Sequence, residues 1–176
     1  MSDEPFSLDV LYGAIEQHIR DAIAGLEYVG TMPDMLQRVA VPAVVLELTE
    51  LEPGEDQGTG ETALIARFEA RVIVESDREQ CHQQAAFAAS QLAVLLRMQT
   101  WGLEVGHAEF VRAVQDWTRP ELDSYAVWVV EWTQPIWLGQ EEWPWPDQPP
   151  GSLVFGFSPD TGPGSEGSYQ SPEQME

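Results

Sequence analysis

The chain has 176 residues, no lysine, and 30 acidic residues against 8 arginines, for a formal charge of −22. Proteins that grip nucleic acid neutralise phosphates with Lys and Arg, and an anionic membrane surface attracts the same residues, so both are excluded as partners. A hydrophobic fraction of 43% still permits a packed core, and this length suits one domain with a tail.

The N-terminal stretch MSDEPFSLDV has no basic region and no apolar run, which argues against a signal peptide and for a cytoplasmic chain. No run approaches the ~18 apolar residues of a membrane span. The single cysteine, Cys81, allows no internal disulfide.

In chain order, a helix is expected first. Ser7 is its N-cap and Asp9 sits in its first turn. Leu11, Ile15, Ile19, Ala22, Ile23 and Leu26 form its apolar face, and Gly30 and Pro33 end it. Ala43 to Leu51 reads as a half-buried strand, with Leu46 and Leu48 alternating with Glu47 and Thr49. A long turn, Glu52 to Glu61, contains Pro53, Gly54, Gly58 and Gly60. The next strand puts Leu64, Ala66, Phe68, Ala70, Val72 and Val74 on one face and Arg67, Glu69 and Arg71 on the other, closing an antiparallel hairpin.

Ser76 and Glu79 match a capping box, predicting a helix to about Met98 with Phe87, Leu92, Leu95 and Leu96 against a sheet. A strand from about His107 to Trp117 follows, with Phe110 and Val114 inward. Tyr125 to Leu138 is the strongest strand. Ala126, Trp128, Val130, Trp132 and Ile136 share a face, and Val127 and Val129 make its first half apolar on both sides, as in a central strand. The order αββαββ predicts an α+β fold: two helices on one face of a four-stranded, mainly antiparallel sheet. The other face, with Arg67, Glu69, Arg71, Tyr125 and Glu131, needs water or a partner.

This domain spans residues 1–139, and a Pro/Gly/Ser-rich acidic extension spans 140–176. The extension has two readings. One is a solubilising tail. The other is an extended tail whose Leu153, Val154, Phe155 and Phe157 add a strand to a neighbour's sheet edge.

Chemistry-bearing motifs are sparse. His18, His82 and His107 are scattered and lack ligand spacing, so no metal site is expected. Glu50, Glu52, Glu55 and Asp56 lack the alternating oxygen ligands of a calcium loop. There is no nucleophile elbow, Cys–His pattern or phosphate loop, so neither enzymatic activity nor a cofactor is expected. Trp137, Trp143 and Trp145 follow or end the last strand, and tryptophan is common at interface hot spots.

Trp101-Gly-Leu103, Asp116, Pro120-Glu-Leu-Asp123, Tyr125-Ala-Val-Trp128, Val130-Glu-Trp132 and Ile136-Trp-Leu-Gly139 resemble the C-terminal half of tail terminator proteins of Mu-like long-tailed bacteriophages. Val41-Pro-Ala-Val-Val-Leu-Glu47 and the strand Leu64 to Val74 fit the same pattern, and the resemblance covers about residues 8–143. It implies a structural virion protein, assembled in the host cytoplasm, that forms a ring, usually a homohexamer, on the head-proximal end of the tail tube. Such a ring stops tube polymerisation and joins tail to head. The implied partners are further copies of itself, the tail tube protein and the head–tail connector protein, with the genome crossing the lumen unbound. No catalytic residues carry over. Two other readings use the same charge: another head–tail connector completion protein, and an acidic DNA mimic that inhibits a host protein.

The interface candidates are Glu52, Glu55, Asp56 and Glu61 in the turn, Trp137, Trp143 and Trp145 beyond the sheet core, and Phe155 and Phe157 in the extension. The acidic turn is expected to face the tube or the lumen.

Overall fold

The computed structural model describes residues 6–32, 39–119, 122–141, 154–159, 161–162 and 164–172. The chain divides into two compact units, Met1–Trp143 and Pro144–Glu176.

Among the described residues, seven elements build the first unit: α1 (Leu8–Ala22), β1 (Tyr28–Thr31), β2 (Ala43–Pro53), β3 (Thr62–Glu75), α2 (Cys81–Leu95), β4 (Glu109–Gln115) and β5 (Tyr125–Leu138). The α+β class with two helices stands. The sheet has five strands rather than four and is mixed, in the order β1-β2-β3-β5-β4. Tyr28–Thr31 pairs parallel with Ala43–Leu46, so Gly30 lies within a strand instead of stopping a helix. The helix stops earlier, where Ile23 turns to an extended backbone.

The sheet alternates its side chains between two faces. On one face, Leu46, Phe68, Val72, Val130, Trp132 and Ile136 join Leu11, Ile15 and Ile19 of α1 and Ala85, Ala89 and Leu92 of α2 in one core. Phe68 stacks on Trp132 with ring centroids 5.3 Å apart, and Trp101 meets Trp132 at 6.3 Å. Trp101 also donates its indole N–H to the buried Gln134 Oε1 at 2.7 Å. On the opposite face a smaller cluster gathers Ala43, Val45, Ile73, Leu122 and Val127 at one end.

Three local expectations are corrected. The 76–79 pattern does not cap α2: the helix begins at Cys81, after a left-handed Gln80 that gives no side-chain cap. Phe87 does not pack on the sheet but is exposed, because the inward stripe of α2 is Cys81, Ala85, Ala89 and Leu92. Phe110 and Val114 do not share an inward face. The register of β4 on β5 shifts between Phe110 and Arg112, and this bulge puts residues four apart on opposite faces, with both side chains exposed at the sheet edge.

The second unit closes on itself locally. Phe155 and Gln170 form an antiparallel bridge with N–H to O distances of 2.8 and 2.9 Å. Between them a 3-10 turn spans Glu166–Ser168, and Tyr169 Oη accepts from Gly162 N–H at 3.0 Å. The described part of this unit is looped, and Leu153 lies outside the described residues.

Candidate functional site

The expected open face of the sheet is assembled from register. Glu47 on β2 lies opposite Glu69 on β3, which lies opposite Glu131 on β5. Three carboxylates in a row repel one another unless cations stand among them. Arg71, whose side chain is 7% exposed, donates to Glu47 at 2.8 Å, to Asp116 at 3.1 Å, and to Glu69. Arg119 donates to Glu47 at 2.7 Å and Arg112 to Glu131 at 2.8 Å. One step further along the hairpin, Arg67 meets Glu50 at 3.0 Å.

These contacts set the charge states. Burial alone would lower the Arg71 pKa, but Glu69, Asp116 and Glu47 outweigh it and raise it. Burial pushes the Asp116 carboxyl up, yet the hydroxyl and N–H of Thr118, at 2.6 and 2.9 Å, and Arg71 together hold it below the usual carboxylate range. Burial is likewise the main cause of the raised Tyr12 pKa, with the Glu47 charge adding to it, against the bond from Leu48 N–H. The face therefore saturates its own charges: Arg67, Arg71, Arg112 and Arg119 are each engaged by carboxylates of the same chain. Arg71 is held almost wholly by the chain itself, whereas the Arg112 side chain is 59% exposed and shares its charge with solvent.

The second candidate lies at the far end of the β2–β3 hairpin. The strands run further than the sequence pattern suggested, so Glu52 is a β2 residue paired with Ile65, and the connecting turn is shorter. Gly54 donates to Ala63 O at 2.9 Å, and a Cβ there would come within 2.9 Å of Leu64 N, so only glycine fits the first step of the turn. Asp56 Oδ1 accepts from Gly58 N–H at 2.8 Å, and Glu61 accepts from the Thr59 hydroxyl at 2.9 Å. These bonds order the acidic turn.

A cleft of about 600 Å³ opens beside it. Glu55, Asp56 and Gln57 line one side, Ala63, Leu64 and Ile65 another, and Gly106, Pro135 and Trp137 the rest. Gly106 donates to Pro135 O at 2.8 Å, an approach that a Cβ would block at 2.7 Å from the Pro135 ring.

Of the expected interface residues, Glu55, Asp56 and Trp137 thus meet at one cleft, with Glu52 and Glu61 on the flanking strand and turn. Phe155 and Phe157 are exposed on the second unit. Trp143 and Trp145 lie outside the described residues. The histidines make local contacts: His18 Nδ1 lies 2.8 Å from Ala14 O, His107 Nδ1 3.2 Å from Met98 O, and His82 Nδ1 3.2 Å from Gln115. Among the described residues, no group of three or more His, Cys, Asp or Glu is placed to hold a metal ion. No described helix is long and apolar enough to cross a membrane.

The sequence reading missed Glu47, Arg112, Asp116 and Arg119 as members of the charged face. Arg71 and Asp116 are 45 positions apart and Arg119 and Glu47 are 72 apart, so only the sheet order unites them. The available signal was the alternation of Glu47 with Leu46 and Leu48. No protein-family model matches this chain, and a search of curated proteins found no match either.

Proposed function

We propose that this chain is a structural virion protein that forms a ring at the head-proximal end of a bacteriophage tail tube, ends tube polymerisation and joins the tail to the head. The observation that carries this reading is the β2–β3 hairpin end. Residues 52–61 hold four carboxylates and no arginine: Glu52 at the end of β2, and Glu55, Asp56 and Glu61 on a turn ordered by its own hydrogen bonds. Repeated around a ring, that turn would give a lumen that repels phosphate and lets a genome slide past. The open sheet face supports the same reading. Its described arginines pair with carboxylates of the same chain, which weakens their draw on phosphate.

The cleft beside the hairpin suits a protein neighbour. Trp137 supplies an aromatic wall and Glu55 and Asp56 supply negative charge, a combination that accepts a lysine or arginine from the tube or the connector. The resemblance over residues 8–143 points to the same assembly position. Native mass measurement with electron-microscope images of the purified full chain tests the ring. One closed species with a central hole is expected, and a monomer at all concentrations would refute it.

A further inference from the structure

We infer that the surface formed by α2 and β4 is where a second copy of this chain docks, which deepens the ring reading above and rests on it for the number of copies. Charge is distributed very unevenly along the sequence. Between Gln80 and Arg119 there are three arginines, Arg97, Arg112 and Arg119, and three acids, Glu104, Glu109 and Asp116. That stretch is neutral, so the whole −22 falls on the remaining residues. α2 itself, Cys81–Leu95, contains no Asp, Glu, Lys or Arg.

Among the described residues, most of the exposed large apolar side chains also lie in the neutral stretch. On α2 and just beyond it, Phe87, Val94 and Met98 are 60%, 76% and 65% exposed. A spacing of seven residues puts Phe87 and Val94 on one side of the helix, opposite the buried Ala85, Ala89 and Leu92, and Met98 follows in the turn after it. On β4, Phe110 and Val111 are exposed, Phe110 on the helix side of the sheet, and Trp117 follows at 69%. The two elements are bound into one surface. Ala108 donates to Gln99 O at 2.8 Å at one end of α2, and His82 meets Gln115 at 3.2 Å and the Trp117 ring at 6.3 Å at the other. Apolar patches of this kind mark interaction sites.

The two sheet edges differ in the same sense. At the β1 edge, the carbonyls of Val29 and Thr31 accept from Arg20 and from the Tyr28 hydroxyl, at 3.0 and 2.8 Å. Such side-chain contacts blunt an edge. β4 is the other edge, and it exposes Phe110, Val111 and Val114 beside Glu109 and Arg112.

Charge identifies the occupant. A basic partner would be drawn to the acidic remainder of the molecule and would gain little from a neutral apolar face. A second copy at −22 has the opposite problem: it is repelled wherever carboxylates face carboxylates, and it approaches most easily where they are few and matched by arginines. The α2–β4 surface is that place.

The test measures the native mass and concentration-dependent association of the full chain, as wild type, as Val94→Glu with Phe87→Glu, and as Val10→Glu. Val10 is an exposed apolar residue on α1 and serves as the control. Circular dichroism and melting check that each variant is folded. The wild type should associate, more tightly at high than at low salt. The α2 double variant should dissociate at least about 100-fold more readily, and V10E should match the wild type. If the folded α2 variant keeps the wild-type mass, or if the wild type stays monomeric at high concentration, the inference falls. A closed ring that survives the double variant overturns this surface and leaves the ring standing. A two-copy particle that the double variant dissociates supports the surface and overturns the ring.

Discussion

On the helix side of β3, Phe68 lies flat against Trp132 under α1 and α2. Three residues along the same strand, on the other side, Arg71 is nearly as buried but sits among Glu47, Glu69 and Asp116. One face closes with apolar packing from helices of its own chain. Beside a small apolar cluster at one end, the other closes with charge, drawn from strands and loops that meet only in the folded sheet. An apolar face tolerates loss of shape in proportion to the cavity left behind, whereas a buried charge that loses its partner leaves the others unpaired. The two faces should therefore respond differently to mutation and to pH.

The largest effect is expected on the apolar face. Phe68→Ala removes a fully buried ring and should cost about 4 kcal/mol in a urea titration. Arg71→Ala should cost about 3 kcal/mol, because three carboxylates lose their shared cation. If Arg71→Ala proves neutral, the charged face contributes nothing to the fold and the comparison fails.

Asp116→Asn sharpens the contrast by adding pH. The folded carboxyl has its pKa lowered, so its stabilising contribution is present above the unfolded value of about 4 and is lost as pH falls through the folded value. The variant should be less stable than wild type by about 1 kcal/mol at pH 7, and the two unfolding curves should converge as the pH is taken below about 4. Phe68→Ala should show no such convergence. The smallest effect belongs to Arg67→Ala. Its pair with Glu50 is largely solvated, and thermal melting should detect a loss of no more than about 0.5 kcal/mol.

Both long inner strands were legible in the residues, because a strand buried on one face writes its period directly. β5 runs over Tyr125–Leu138 as its alternation predicts. β1 was not legible. Four residues carry no period, and Tyr28–Thr31 is a strand only because Ala43–Leu46 lies beside it. The bulge in β4 was hidden for a similar reason, since an inserted residue shifts the phase without changing composition. In α2 the eye follows the large Phe87, while the helix buries small alanines against the sheet.

The candidate site was half legible. The acidic turn and Trp137 stand out in the sequence, but their meeting at one cleft depends on β3 lying between β2 and β5. The balanced arginines of the open face were visible only singly. Their partners are supplied by sheet register and by the segment after β4 that carries Asp116 and Arg119.

The length of tail tubes assembled in the host without this chain tests the central claim most directly. Overlong tubes of uncontrolled length are the predicted result. Tubes of normal, uniform length lacking only heads would contradict termination and assign the chain to joining alone.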